Sequence, residues 1–174
     1  MGLRVRSNDG EPVWVGLRLI EVKPNWTSIL ITASVATLAT TAVTAILGKK
    51  ETDSASAPLN ATSHIVWGDE AATHDELDAK HTGLGTLINA AAMASWAIFN
   101  DLLWRRWVGR GSRSRSLVAG AATSGIAYVT DYYLVPKRFT PGFEKRLSKP
   151  ALGIIYASLA ISMAAGLALS NRKD

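Results

Sequence analysis

The sequence predicts an all-α integral membrane protein, a bundle of four transmembrane helices. Three observations predict it. Apolar residues gather into four blocks, residues 26–48, 83–104, 116–136 and 151–169, each close to the roughly 20 residues that a helix needs to cross a bilayer. Charged residues fall between the blocks, with Lys and Arg concentrated just outside them. Small residues recur at every fourth position within the blocks, which lets helix backbones approach closely in lipid. A chain of 174 residues is ordinarily one domain. We read residues 1–24 as a tail and residues 25–171 as a single membrane domain, with residues 49–82 as its longest outer loop.

Composition narrows the function. The net charge of +5 could suggest a nucleic-acid partner in a soluble chain. Here the cations flank apolar blocks, so the expected partner is the lipid bilayer and its headgroups, not nucleic acid. Other membrane-protein subunits or a second copy of the chain are further expected partners. There is no cysteine, which excludes disulfides, thiolate metal sites and cysteine nucleophiles. The chain has no phosphate-binding glycine loop, no HExxH and no Gly-x-Ser-x-Gly. No long inverted repeat of the secondary-transporter kind is evident.

In the tail, Val13, Trp14, Leu17 and Ile20 fall at helical spacing between Pro12 and Pro24, which reads either as a short interfacial helix or as an ordinary flexible tail. The first block, Trp26 to Gly48, carries no charge. A cleaved signal peptide would have an apolar region of about 7–15 residues; this one is longer and starts later, so it reads as a retained anchor. Thr32, Ala36, Thr40, Thr44 and Gly48 form a packing stripe along it. The loop that follows opens with a flexible turn region, ETDSASAP, and becomes strongly acidic at Asp69, Glu70, Asp75, Glu76 and Asp78. Asn60-Ala-Thr62 matches the N-glycosylation pattern, a match frequent by chance.

The organising stretch is residues 74–107, which passes from an acidic, His-bearing entry through the second apolar block to an arginine cluster. Near the end of that block Asp101 and Arg105 lie four apart, as a local ion pair would. The third block offers Ala121 and Gly125 as a small-residue pair and carries Asp131. After it, KRFTPGFEKRLSK is a basic turn punctuated by Thr-Pro-Gly, in which Glu144 reads as a solvated charge. The fourth block has no charges, and Ser158, Ser162, Gly166 and Ser170 form a stripe. Lys and Arg number 11 on the side of the termini and 8 on the other, which places the termini in the cytoplasm.

Several phrases are familiar as a set. They are Ser63 to Gly68 (SHIVWG), His81-Thr82 leading to Ala94 through Ala97 (ASWA), Asp131-Tyr132 with Val135 through Arg138 (VPKR), and Thr140 through Glu144 (TPGFE) with Arg146 through Ser148 (RLS). Over residues 60–170 the chain resembles an uncharacterised family of small bacterial inner-membrane proteins with four predicted crossings. The resemblance implies a multi-pass protein of the bacterial inner membrane and supplies no activity. Members of that family often carry histidines near the position of Asn89, where this chain has none.

Two constellations could carry chemistry. His74, Asp78 and His81 share one face if residues 74–81 are helical, and two imidazoles with a carboxylate can hold zinc and leave a fourth position for water. His64 and Asp75 are further candidate ligands. Asp131 is an ionisable group inside a crossing, a costly placement that calls for a partner or a function. Asn89, Asp131 and Tyr132 form the candidate intramembrane cluster, with His81 near; Lys137 or Arg138 would cap Asp131 if it lies at the interface. The leading expectation is a non-enzymatic structural or partner-binding role, as an accessory subunit of a membrane complex, with no cofactor required. The alternatives are a metal-dependent membrane enzyme using His74, Asp78 and His81, and a small transporter component using Asp131 and Asn89.

Overall fold

The computed structural model describes residues 2–6, 12–16, 23–109 and 112–170, of which 2–6, 12–16 and 170 are described by backbone alone. The body is all-α. Strands β1 (Gly2–Arg6) and β2 (Pro12–Gly16) form an antiparallel hairpin with Leu3 opposite Val15 and Val5 opposite Val13. Over Pro12–Gly16 this replaces the interfacial helix expected between Pro12 and Pro24. The Val-Trp-Val run of β2 carries β-branched and aromatic residues that suit a paired, extended backbone, and that local preference wins over the helical spacing. Residues 17–22 lie outside the described part.

Four long helices follow: α1 (Trp26–Thr52), α4 (Leu84–Val108), α5 (Arg113–Val129) and α6 (Lys149–Ser170). Two short helices, α2 (Ala57–Thr62) and α3 (His64–Trp67), lie between α1 and α4. The boundaries follow from caps. Asn25 accepts a hydrogen bond from the Ser28 N–H (3.0 Å) and starts α1. Asp53, with a left-handed backbone (φ 58°), ends it after Lys49 and Lys50, whose charge suits a helix C-terminus. Asp78 caps a π-helical turn, Ala79–Gly83, that runs into α4. A second π turn, Thr130–Leu134, extends α5. The third predicted block is thereby one continuous helical rod up to Leu134.

The four helices pack in the cyclic order α1, α4, α5, α6, with α6 closing against α1. The predicted stripe of α1 faces inward: Thr32, Ala36, Thr40, Thr44 and Gly48 are all buried. Gly166 on α6 meets it so closely that a Cβ there would lie 1.8 Å from Thr32 Oγ1. The predicted Ala121/Gly125 pair is instead exposed. Gly120 makes the close approach of α5, to the Ala160 carbonyl and Ala164 on α6. Ile29, Met93, Leu159 and Met163 fill the space between the small residues.

The helices are inside-out by the standard of a water-soluble bundle. On α1, Leu30, Leu38 and Ile46 are 66%, 72% and 67% exposed, while Thr32, Thr40 and Thr44 are 2%, 1% and 0% exposed. Leu87 on α4, Leu117 and Val118 on α5, and Ile154 and Ile161 on α6 also face outward. Three helices, Trp26–Thr52, Ala79–Val108 and Lys149–Leu169, are long and apolar enough to cross a membrane. The rod containing α5 carries Arg113, Arg115, Asp131 and many hydroxyl side chains, and is less apolar.

The segment after α1 is a folded cap, not the flexible loop expected from ETDSASAP. Leu59, Asn60, Ala61, Thr62 and His64 are buried within it. Ser54 and Ser56 both donate to the Asp75 carbonyl (2.5 and 2.7 Å). The basic turn after α5 clamps the cap: Lys145 meets Asp69 at 2.7 Å, Arg146 pairs with Asp75, and Ser148 donates to Glu51 through its N–H and hydroxyl (both 2.7 Å).

Candidate functional site

The cap assembles the predicted metal ligands, by a route other than the one expected. Residues 74–78 are not helical, and Asp78 is extended (φ −143°, ψ 164°). His74, Asp78 and His81 do not share a helical face. They converge because Asp78 is the N-cap of the π turn. Its Oδ1 accepts the His81 N–H (2.6 Å) and its Oδ2 lies 2.8 Å from His81 Nδ1. The chain before it folds back so that His74 Nε2 stands 2.7 Å from the same Oδ2, out of line for a hydrogen bond. The two imidazoles lie with ring centroids 4.2 Å apart. The hydrogen bond from the His81 ring, then the His81 N–H and His74, hold the Asp78 carboxyl well below the usual carboxylate range.

The turn is built on Asn60, which is fully buried. Its Nδ2 donates to the carbonyls of His74 (2.9 Å) and Glu76 (2.8 Å). Its Oδ1 accepts from Thr82 Oγ1 (2.5 Å), which in turn accepts the Asp78 N–H (3.2 Å). An asparagine so enclosed is no glycan acceptor in the folded chain.

The three side chains can bring one ligand atom each within 4.8 Å of one another, so the group could hold a metal ion. Two imidazoles and a carboxylate are a zinc donor set that leaves a position open. Around tetrahedral zinc, ligand atoms sit about 3.3 Å apart, given metal–ligand distances of about 2.0–2.2 Å. Here both nitrogens lie closer than that to Asp78 Oδ2, so an ion would spread them by about half an ångström. The other proposed ligands are engaged elsewhere: Asp75 pairs with Arg146, and His64 is buried on the Ala61 carbonyl (2.8 Å).

Within the helices, Asn89 and Asp131 do line one cavity, of about 90 Å³, together with Thr40, Met93, Phe143 and Tyr156. That is room for several water molecules. Asp131 accepts a hydrogen bond from the Tyr156 hydroxyl (2.6 Å), and among the described residues neither Lys137 nor Arg138 pairs with it. The Asp131 cap expected from those cations is therefore replaced by Tyr156, a residue of the fourth block that sequence reasoning missed. Its signal was a lone phenol in a charge-free apolar block. Asn89 donates toward Thr40 and Thr41 (3.2 and 3.3 Å). Tyr132 meets Tyr128 in a tilted and Tyr156 in an edge-on ring contact, and its hydroxyl is buried without a partner among the described residues. His81 belongs to the Asp78 turn and not to this cluster. Glu144, expected in solvent, accepts from Thr140 Oγ1 (2.5 Å) and buries its other oxygen.

Further polar side chains join the helices to one another. Asn100 donates to the Met163 carbonyl (3.2 Å) and accepts from Thr123 (2.8 Å), which accepts from Trp104 (3.0 Å). Ser124 donates to the Tyr156 carbonyl (2.6 Å). Asp101 accepts from the Asn25 N–H (3.0 Å) and from Arg105 (3.3 Å), as the spacing predicted for the latter.

Comparison with known proteins adds no relative: no family model matches the chain, and neither does any curated protein or solved structure.

Proposed function

We propose that the chain is a small multi-pass protein of the bacterial inner membrane with a structural or partner-binding role, an accessory subunit rather than an enzyme. In this reading α1, α4, the rod of α5 with its π turn, and α6 are four crossings, and the termini are cytoplasmic. One observation carries it. The buried stripe of α1 is Thr32, Ala36, Thr40, Thr44 and Gly48, while Leu30, Leu38 and Ile46 face outward. Water would expose that leucine surface at about 25 cal/mol per Å², whereas lipid solvates it without cost. Hydroxyl and amide groups facing inward then act as interhelical glue. That Asn89, Asn100, Thr123 and Ser124 are spent on such contacts favours scaffolding over catalysis.

The test is extraction followed by affinity purification. The protein should stay in the membrane pellet through carbonate and high salt and be released by detergent, accompanied by a reproducible membrane partner or a second copy. Release without detergent would end the membrane reading. A consistently lone monomer in mild detergent would end the partner reading.

The convergence of His74, Asp78 and His81 favours one second reading, a zinc-dependent site in the cap. Metal analysis of wild type against His81→Ala separates the two. Stoichiometric zinc lost in the variant would support it, and no zinc in either would dismiss it.

A further inference from the structure

The cap and the basic turn enclose a second recess, of about 320 Å³, lined by His64, Gly68, Asp69, Lys137, Arg138 and Lys145. We propose that this recess binds a phosphate group, carried either by an anionic lipid headgroup or by a free phosphate. The proposal does not rest on the role suggested above, and the free-phosphate case needs no particular placement in a membrane.

Charge comes first. Three cations face one carboxylate in the lining. Asp69 is already matched by Lys145 at 2.7 Å, and among the described residues no ion pair engages Lys137 or Arg138. Lys145, the first cause, holds the Asp69 carboxyl below its ordinary range, in keeping with a locally positive environment.

The second observation is His64. It is 2% exposed, and its Nδ1 lies 2.8 Å from the Ala61 carbonyl, an acceptor, so Nδ1 carries the proton. Its Nε2 is buried with no partner among the described residues. A buried ring nitrogen without a partner costs free energy, yet the ring is rigidly held. Gly142, with φ 85°, packs on it so tightly that a Cβ would lie 2.4 Å from the Ala61 oxygen and 3.0 Å from His64 Nδ1. The Thr-Pro-Gly turn thus fixes one wall while the residues before and after it bring Lys137, Arg138 and Lys145 to the others. A phosphate in the recess lies against the His64 ring that lines it. Arginine and lysine at the rim then supply charge-assisted hydrogen bonds. Exposed Leu134 and Phe139 beside these cations offer an apolar surface to the acyl chains of a lipid.

The experiment uses the full chain purified in detergent, with two probes. Inorganic phosphate is titrated calorimetrically. Retention of phosphatidylglycerol over phosphatidylcholine is counted by native mass spectrometry after reconstitution in an equal mixture. The double variant Lys137→Gln/Arg138→Gln changes only exposed side chains and should weaken binding at least about tenfold; His64→Gln should weaken it as well. Arg113→Gln/Arg115→Gln, the same loss of charge at the far end of α5, should leave it unchanged. Binding of inorganic phosphate that is lost in the rim variant identifies a free-phosphate site. Selective lipid retention that is lost there, without phosphate binding, identifies a headgroup site. If neither probe distinguishes wild type from the rim variant, or if the far-end variant has the same effect, the proposal is overturned.

Discussion

Two glycines on α6 should respond to the same substitution with opposite sign. At Gly166 an added Cβ meets Thr32 Oγ1 at 1.8 Å, Cγ2 at 2.7 Å and Cβ at 2.5 Å. Rotating the threonine can remove the first two contacts but not the third, because Cβ is fixed by the backbone. Carbon atoms rest about 3.5–4.0 Å apart, so α1 and α6 must separate locally by at least about 1 Å. Overpacking of this kind costs about 1–3 kcal/mol. Against it stands a gain of about 0.4–1 kcal/mol from replacing glycine by alanine within a helix. Gly166→Ala should therefore destabilise by about 1–2 kcal/mol. At Gly153 nothing lies within 4 Å of the new Cβ, so Gly153→Ala should show the gain alone. Reversible unfolding in mixed detergent micelles measures both, and Thr32→Ala should recover part of the Gly166 loss. If Gly166→Ala proves as stabilising as Gly153→Ala, the close approach of α1 and α6 is wrong.

Asn100→Leu breaks the link from Trp104 through Thr123 to the Met163 carbonyl; at about 0.6–1.7 kcal/mol for each interhelical bond in a membrane, a loss of about 1–3 kcal/mol is expected in the same unfolding assay, and a loss under about 0.5 kcal/mol would mean the network is not formed. Because the native Asp78 carboxyl is held below its ordinary value, its contribution is present above about pH 4 and is lost as pH falls through the lowered native value. Protection of the amides of residues 74–82, taken relative to their intrinsic exchange rates, should fall on acidification, with Asp78→Asn already poorly protected at neutral pH and its protection unchanged by acid. Asp131→Asn keeps a hydrogen-bond acceptor for Tyr156, so a purely structural Asp131 predicts little change in expression or oligomeric state by size-exclusion chromatography.

The helices and their packing line were legible because their signals are long. Twenty apolar residues, and threonine, alanine and glycine at every fourth position, leave little choice of helix or of packing face. The ion pair of Asp101 with Arg105 was legible for the same reason, since four residues on a helix fix the distance. What the sequence hid is set by contacts distant along the chain. Asn60 reaches the carbonyls of His74 and Glu76, and Tyr156 reaches Asp131; no local pattern announces either. The His74, Asp78, His81 group was found with the wrong geometry in mind. Its spacing suggested a helix, but a capping aspartate gathers the same three side chains through a turn. Ala121 and Gly125 looked like Gly120's role because small residues are common throughout that block, and only the neighbour decides which of them is used.

The clamp on the cap also has a meaning for biogenesis. Residues 54–82 emerge from the ribosome well before Lys145, Arg146 and Ser148, which fasten Asp69, Asp75 and Glu51 in the finished protein. The first half of the chain therefore waits, its acidic segment unfastened, until the second half has been made. A nascent chain halted between residues 109 and 137 would be open to quality-control proteases at a place that the completed protein keeps shut.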